Sequence, residues 1–435
     1  MNAMRKWWVM AIFLMPAAAL AQLSLPGVGP ALPFPDRVIG DPTATILDPV
    51  TGVVDGSMLD RLSKSELASL LNRLRIDRTN RFLRENRIYV ERDRNGDPAV
   101  RGILVATNIS EMSIRKAVDD GFTIIERGGI DGLDLAFVRF STRQGETLTS
   151  GQKKLQKIAR EAEISADNIY FTSAAAAIDR TNALPAALLA GGNVKGAVMG
   201  LIDGGVARHS MIKMPVEQRG FAKGAPVSSA HGTAIASLIS IGQKNSARGL
   251  LSADIYGSDP AGGNATAIAR ALGWMVTRNV PVVTISLVGP DNGLLRQAIA
   301  SAQGKGVLIV AAVGNDGPAA PPRFPAAYKG VLGVTGVDSR QRALPEAGIS
   351  TPVDFAAPGA DINGASPDGK TVALRGTSFA APLVAARLAA YYPSPNIARI
   401  ESSVNSLIGE AKDLGKRGAD KIYGHGLVCE NCAVR

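Results

Sequence analysis

Residues 376–382 read Gly376-Thr377-Ser378-Phe379-Ala380-Ala381-Pro382 and lead into an apolar run. Thr377 suits a helix cap, and Pro382 suits a first helical turn, where a missing N–H costs little. We therefore predict that Ser378 opens a helix, beside backbone N–H groups at the positive end of the helix dipole. A hydroxyl at that place is suited to attack a carbonyl and to face the oxyanion that forms. The alternative is a serine that only caps the helix.

A hydroxyl nucleophile needs a base and a group that orients the base, and two upstream segments supply them. Residues 198–202 are apolar, as expected for a buried parallel strand, and they end at Asp203. Open α/β sheets keep their chemistry at the C-terminal ends of such strands. His231 is the one histidine of three that opens a helical stretch in this neighbourhood. The sequence therefore predicts an Asp203, His231 and Ser378 site, although Asp203 alone could be a turn residue.

The chain resembles the subtilisin-like serine proteases, or subtilases, over about residues 195–428. Four motifs occur together in family order: Asp203-Gly-Gly-Val, His231-Gly-Thr, Gly314-Asn315 and the Ser378 heptapeptide. The resemblance implies a parallel sheet flanked by helices, an α/β fold. It implies that Ser378 attacks the scissile carbonyl, that His231 carries the proton and that Asp203 orients the imidazole. Asn315 would donate to the oxyanion; the alternative is a turn asparagine.

The same resemblance implies a pocket for the side chain that precedes the scissile bond. One wall would be residues 286–289, which follow the substrate-side strand, and the other would be residues 311–314. The predicted pocket residues are Ser286, Leu287, Val288, Gly289, Ala312 and Gly314.

Three positions depart from the usual subtilase pattern: Gly204, Val288 and Ala234, the last where a second histidine commonly follows His-Gly-Thr. Subtilases usually carry glycine where Val288 stands, so we expect a narrower pocket and a preference for small or modest residues before the scissile bond. The residue after the aspartate is usually a hydroxyl side chain, whereas it is Gly204 here. A possible support for Asp203 is therefore expected to be missing.

Residues 1–21 have the pattern of a secretory signal peptide. Two basic residues precede a short apolar stretch, and the segment ends in an Ala-x-Ala cleavage site. The alternative is a retained membrane anchor, but the apolar stretch is shorter than a full span. We therefore predict a secreted or periplasmic protein, with no membrane association after removal of the signal.

The region before the protease-like part is predicted to contain a lead-in and a small domain. Residues 22–98 hold a Pro/Gly-rich lead-in and a helical segment, and residues 99–175 alternate like a ferredoxin-like β-α-β-β-α-β unit, an α+β pro-domain. We predict strands at 100–107, 122–127, 133–140 and 168–172 and helices at 110–119 and 150–163. Residues 176–194 form a linker to a catalytic domain at 195–435.

This N-terminal domain is predicted to act as an intramolecular chaperone and inhibitor, as subtilase pro-domains often do. The maturation cut is expected within 174–192, where small residues cluster. The alternative is an accessory domain that stays attached.

The composition of 435 residues, 46% hydrophobic and 20% charged, allows two globular domains. A net charge of +10 identifies no partner, and the charge run in 57–87 is typical of a solvated helix face rather than of a nucleic-acid site.

Cys429 and Cys432 are expected to form a local disulfide in an exported protein. The expected chemistry requires no metal or other cofactor, and no ligand cluster justifies a structural calcium site.

Together these features predict a secreted or periplasmic serine endopeptidase that acts on polypeptides and is made as a self-processing precursor. The alternative is a protease-fold binding or regulatory protein that its own N-terminal domain keeps inhibited.

Overall fold

A computed structural model describes residues 62–172, 198–243 and 249–432. The predicted signal peptide, most of the lead-in, and the linker with its maturation site lie outside these residues. Among the helices of the three described ranges, none combines the length and the apolar content needed to cross a bilayer.

The N-terminal part begins with one long helix and continues as a small α+β unit. Ser63 caps the long helix and forms a capping box with Glu66. The elements are α1 Lys64–Glu85, β1 Val90–Arg92, β2 Pro98–Thr107, α2 Glu111–Asp119, β3 Thr123–Gly129, β4 Ala136–Ser141, α3 Leu148–Ile158, β5 Glu163–Asn168 and β6 Phe171–Thr172.

The first five strands form one antiparallel sheet. β2 lies at its centre and pairs with β1, β4 and β5, while β3 pairs with β4. The β2-α2-β3-β4-α3-β5 order and this pairing confirm the predicted ferredoxin-like α+β arrangement. The sheet also includes β1, which precedes residue 99.

Two predicted elements of this unit are displaced in the structure. The predicted strand at 168–172 is wrong, because the sheet strand is Glu163–Asn168 and the chain then leaves the sheet. The predicted helix at 150–163 ends at Ile158, where Ala159 turns the chain toward β5. Ile169 and Tyr170 are buried, but they pack against the second part of the molecule rather than in the small sheet.

The second part contains a parallel sheet and its helices. Its elements are β7 Met199–Asp203, β8 Val216–Gly220, α4 Ala230–Gly242, β9 Leu250–Asp254, α5 Ala265–Thr277, β10 Val282–Ile285, β11 Leu287–Val288, α6 Gly293–Gly304, β12 Leu308–Ala312, β13 Leu332–Val337, β14 Phe355–Pro358, β15 Ile362–Ala365, β16 Thr371–Leu374, α7 Thr377–Tyr391 and α8 Ile400–Glu410, with a 3-10 turn at Ile397–Arg399.

Seven parallel strands in the order β14-β13-β12-β10-β7-β9-β8 form the main sheet. Helices α5 and α6 cover one face, where Ile202, Val283 and Ile309 are buried. Helices α4 and α7 cover the other face, where Leu201 and Val310 are buried. Burial on both faces explains the continuous apolar runs of these strands. The prediction of a parallel sheet flanked by helices is confirmed.

The α+β unit covers the N-terminal ends of α5 and α6. Asp167 accepts hydrogen bonds from the backbone N and Oγ1 of Thr266, both at 3.0 Å. Asn292, the cap of α6, donates through Nδ2 to the carbonyl of Ala166 at 2.8 Å. These bonds satisfy polar groups of the helix starts that would otherwise face solvent.

Elsewhere, Cys429 and Cys432 form the expected disulfide.

Candidate active site

Asp203 is the last residue of the central strand β7 and is fully buried. The backbone N of Gly204 donates to its Oδ1 at 2.8 Å. A Cβ on Gly204 would lie 2.4 Å from Oγ of Ser229, closer than any such contact allows. The crowding explains why glycine replaces the usual hydroxyl residue. At this position Asp203 is therefore supported by the backbone N–H of Gly204 rather than by a hydroxyl side chain.

His231 lies in the first turn of α4, with its side chain buried beside Asp203. Ser229 caps this helix by accepting a bond from the N–H of Gly232 at 2.9 Å. Ser229 was not among the predicted site residues, although a serine two residues before His231 is a capping signal. The cap fixes the helix start and with it the position of the imidazole.

The imidazole contacts Asp203 through one nitrogen only. His231 Nδ1 lies 2.9 Å from both Oδ1 and Oδ2 of Asp203. His231 Nε2 is buried and makes no hydrogen bond within the described part of the chain. The ring packs against Phe379, with the centroids 5.5 Å apart. The imidazole thus bridges the carboxylate and the helix start that contains Ser378.

Ser378 is the second residue of α7 and is buried. The predicted cap is wrong by one residue. Gly376 is the cap, with φ of +139°, and its N–H donates to the carbonyl of Gly359 at 2.7 Å. That conformation favours glycine. Pro382 lies inside α7, beyond the first turn in which it was predicted.

Asn315 follows β12 and is tied directly to the start of α7. Its Oδ1 accepts a hydrogen bond from the N–H of Thr377 at 3.0 Å, and Thr377 Oγ1 accepts from the N–H of Gly314 at 3.2 Å. Because Oδ1 is turned to Thr377, the amide NH2 is on the other arm of the side chain. The structure therefore brings Asn315 next to the residue that precedes Ser378.

The predicted pocket residues lie at the edge of the same site. Ser286 Oγ donates to the carbonyl of Ser378 at 2.9 Å, and Leu287 and Val288 form β11 directly after it. Gly314 lies close to Val288, since a Cβ on Gly314 would be 3.2 Å from its Cγ1. The Ala312 side chain instead packs in the apolar core with α7.

Residues 169–172 of the N-terminal part lie between two segments of the second part. β6 pairs antiparallel with β11, so that Thr172 is opposite Leu287 and Phe171 is opposite Val288. On the other side the N–H of Tyr170 donates to the carbonyl of Gly263 at 2.8 Å. We call the space between Gly263 and β11 the cleft. The contact of Gly263 with Tyr170 was not predicted, because no local sequence pattern around Gly263 indicates it.

Helix α1 lies over the chain that fills the cleft. The Phe82 ring makes an edge-to-face contact with Phe171, with the centroids 5.0 Å apart. Arg78 pairs with Asp316 at 2.7 Å, and Leu71 packs against Gly317, where a Cβ would lie 2.9 Å from Leu71 Cδ1. Helix α1 therefore contacts both β6 and the loop that follows Asn315.

Two further buried carboxylates, Asp254 and Asp316, lie in segments next to the site residues. Asp254 ends β9 in register with Asp203, and burial raises its pKa although backbone N–H groups, among them that of Val227, oppose the shift. Burial alone would raise the pKa of Asp316, but Arg78 and Arg323 lower it overall. Asp254 holds the loop that leads to Ser229, and Asp316 remains charged.

Residues 62–172, 198–243 and 249–432 contain no group of three or more His, Cys, Asp or Glu side chains that could hold a metal ion. The arrangement consists of a carboxylate paired with an imidazole, a serine at the start of α7, and an amide that contacts the residue before that serine. Such an arrangement can transfer a proton from the hydroxyl and stabilise an oxyanion.

The family model described as "Subtilase family" matches residues 195–426, more than half of the chain. The chain belongs to the subtilase family. It is a subtilisin-like serine endopeptidase, which confirms the predicted enzyme class.

This subtilase is 31% identical to Subtilisin Savinase of Lederbergia lenta over 263 residues, which are 57% of this chain and 93% of that protein. It is 29% identical to the Minor extracellular protease Epr of Bacillus subtilis (strain 168), over 55% of this chain and 38% of Epr. The fold is similar to that of fervidolysin from Fervidobacterium pennivorans, with a TM-score of 0.59 and 16% identity over 79% of this chain and 62% of that one.

Proposed function

We propose that this subtilase cleaves polypeptides through an acyl-enzyme on Ser378, with His231 as general base and Asp203 as the group that orients it. The observation that carries the proposal is the one-sided pairing of the imidazole. Nδ1 is bound to the carboxylate at 2.9 Å, and the buried Nε2 is left as an acceptor. A neutral imidazole held in this tautomer can accept the proton of a serine hydroxyl.

The proton path follows from these contacts. Ser378 Oγ attacks the carbonyl carbon of the substrate and gives its proton to His231 Nε2. The imidazolium is stabilised by Asp203 and then protonates the leaving amine. Water then attacks the carbonyl carbon of the acyl-enzyme and gives its proton to His231, which passes a proton to Ser378 Oγ as the bond to the acyl group breaks and the acid product leaves. His231 Nε2 and Ser378 need not be hydrogen-bonded before substrate binds, because such contacts often tighten only in the complex.

Labelling with a fluorophosphonate probe tests this assignment on the purified full-length protein. We expect covalent modification of Ser378, located by mass spectrometry of the digested protein. The competing function is a binding or regulatory protein that its N-terminal region keeps shut. Absence of labelling both before and after removal of that region would favour the competing function.

Asn315 is proposed to donate its amide N–H to the oxyanion. The bond from the N–H of Thr377 to Oδ1 supports this role, because it holds the Asn315 side chain beside the residue that precedes Ser378. We expect Asn315→Ala to lower kcat for peptide hydrolysis by about 10²–10³-fold with a much smaller change in KM. Steady-state kinetics on one peptide substrate measures the effect. A kcat within threefold of the wild-type value would contradict the role.

We propose that the N-terminal region inhibits the enzyme within its own chain. Support comes from residues 169–172, which lie in the cleft with β11 on one side and Gly263 on the other. A polypeptide substrate would need the same backbone partners. We also propose the domain division 1–21, 22–98, 99–175, 176–194 and 195–435, with a maturation cut within 174–192. N-terminal sequencing of the mature enzyme tests the cut, and a protein that keeps residues 22–170 attached would contradict it.

Helix α1 is proposed to strengthen this inhibition through Arg78. Asp316 is 5% exposed in its side chain and Arg78 is 39% exposed, so the pair is only partly screened. After the maturation cut, the bound N-terminal region should delay the onset of peptide hydrolysis. We expect Arg78→Ala to shorten this lag about fivefold, in line with about 1 kcal/mol for such an ion pair. Hydrolysis of a chromogenic peptide by freshly purified full-length protein records the lag.

Arg81→Ala is the matched control, because Arg81 is exposed on the same helix. Equal lags for the two variants would show that the ion pair with Asp316 does not contribute to inhibition.

We propose that the protein is secreted or periplasmic and that residues 1–21 are removed on export. The relative Epr is named an extracellular protease, which supports this location. Mass spectrometry of culture supernatant and periplasmic extract tests the proposal, and a protein that keeps residues 1–21 would contradict it.

A further inference from the structure

A cavity of about 130 Å³ lies where the N-terminal region meets the second part of the molecule. Helix α1 and the turn between β1 and β2 form most of its wall, and residues 288–290, Asp316 and Arg323 of the second part complete it. A buried water needs only about 10–15 Å³ of such space, so the cavity has room for a small solute. Because both parts of the molecule line it, the cavity exists only while the N-terminal region is bound.

The charges that line this cavity are not balanced. Its wall contains four arginines and two aspartates, which leaves two positive charges in excess: Arg75, Arg78, Arg92, Arg323, Asp97 and Asp316. Asp316 is already paired with both Arg78 and Arg323. Burial lowers the pKa of Arg75, and repulsion by Arg323 lowers that pKa further. Since arginine stays protonated in proteins, these guanidinium groups bring uncompensated charge into a poorly solvated space.

Two guanidinium N–H groups of the cavity wall have no acceptor in the described part of the chain. They are the Nε groups of Arg75 and Arg323, and both are buried. Each side chain is anchored through Nη2 instead, Arg75 to Asn72 Oδ1 at 2.8 Å and Arg323 to Asp316. Buried donors in folded proteins nearly always have a partner. Water accepts such bonds but leaves the excess charge in place, whereas an oxyanion satisfies both needs.

We propose that this cavity binds a small, doubly charged oxyanion of the sulfate or phosphate type between Arg75 of helix α1 and Arg323 of the second part. Arginine suits such anions because its planar guanidinium presents several N–H donors in a fixed geometry. A ligand stabilises the state that binds it, so an anion held by both parts should stabilise their contact. Its effect on the enzyme rests on the proposed inhibition: the anion should delay departure of the N-terminal region after the maturation cut.

Binding is measured on the full-length Ser378→Ala protein, which should keep its N-terminal region attached. Sulfate and phosphate are titrated separately at constant ionic strength, and the heat of binding and the unfolding temperature are recorded. We expect saturable binding of at least one of them at one site, and weaker binding of singly charged acetate. Arg75→Gln should lower the affinity at least about tenfold, because it removes a charge-assisted donor. Arg81→Gln, at an exposed position of the same helix, is the matched control and should leave the affinity unchanged.

A second variant, Asp97→Asn, changes the charge balance in the opposite direction and leaves both arginines in place. Removal of this negative charge from the cavity wall should raise the affinity at least about threefold. The site would be overturned by a protein that binds neither sulfate nor phosphate saturably. It would also be overturned by a folded Arg75→Gln protein with the affinity of the Arg81→Gln control, or by a folded Asp97→Asn protein that binds more weakly.

The wild-type enzyme tests the consequence for inhibition. At ten times its Kd, the anion should lengthen the lag before peptide hydrolysis about tenfold, and Arg75→Gln should remove most of this lengthening. An unchanged lag at saturating anion would overturn the inhibitory role of the site. Absence of hydrolysis and of fluorophosphonate labelling in the wild type would overturn the proposed function instead, and the affinity of the Arg75→Gln protein would still decide the anion site.

Discussion

Replacement of Ser378 by alanine should lower kcat for peptide hydrolysis by about 10⁶-fold, the order of loss recorded for the equivalent change in a subtilisin. Ser378 lies at the buried start of α7, and its carbonyl is held by Ser286 at 2.9 Å. Removal of one oxygen atom leaves this backbone arrangement in place and deletes only the proposed nucleophile. Fluorophosphonate labelling should disappear with the activity.

The same variant tests self-processing. If maturation depends on Ser378, the Ser378→Ala protein should accumulate with its N-terminal region attached, as seen on a denaturing gel. Ser406→Ala, on the exposed face of α8, is the control and should mature normally. Normal maturation of the Ser378→Ala protein in a protease-deficient host would contradict autocatalysis, and residual peptide hydrolysis above a thousandth of the wild-type rate would contradict the nucleophile.

Replacement of Asp203 by asparagine should lower kcat by about 10⁴-fold without unfolding the protein. In the wild type both carboxylate oxygens lie 2.9 Å from His231 Nδ1, which therefore carries the proton. An amide at this place can present N–H to Nδ1, and the imidazole would then carry its proton on Nε2. In that tautomer His231 cannot accept the proton of Ser378.

Kinetics and thermal unfolding of the Asp203→Asn variant should be measured together. We expect an unfolding temperature close to that of the wild type, because the amide is nearly isosteric and the N–H of Gly204 can still donate to its oxygen. A folded variant with more than a tenth of the wild-type kcat would show that Asp203 does not set the tautomer.

The structural positions of Asp203, His231 and Ser378 were predictable because each residue ends or opens a regular element. Asp203 ends an apolar strand, and His231 and Ser378 occupy first turns of buried helices. Such local patterns depend on neighbours in sequence. The error at Thr377 arose because Gly376 adopts a backbone conformation that local pattern does not reveal.

The remaining features depend on partners that are distant in sequence. The apolar residues 169–172 read as a strand of the small sheet, but their partners are Gly263, Leu287 and Val288 in the second part. Arg323 lies close to Gly314, beside the backbone pairing of Phe324 with Gly289, and no side-chain pattern in the sequence indicates that pairing. Helix α1 was predicted as a solvated helix, since nothing in its sequence indicated the contact with Asp316.

Besides the contacts of Asp167 and Ala166 with the starts of α5 and α6, helix α1 and β6 hold the N-terminal region to the enzyme at Asp316 and at β11. Helix α1 and β6 belong to one covalent piece, because the proposed cut within 174–192 falls after both of them. Breakage of either contact leaves the other to keep the fragment at high effective concentration, so the two act with avidity. On this arrangement the cut itself does not open the cleft. A second cut in the exposed connection at Ile88 and Tyr89 would separate the two attachments and speed departure of each.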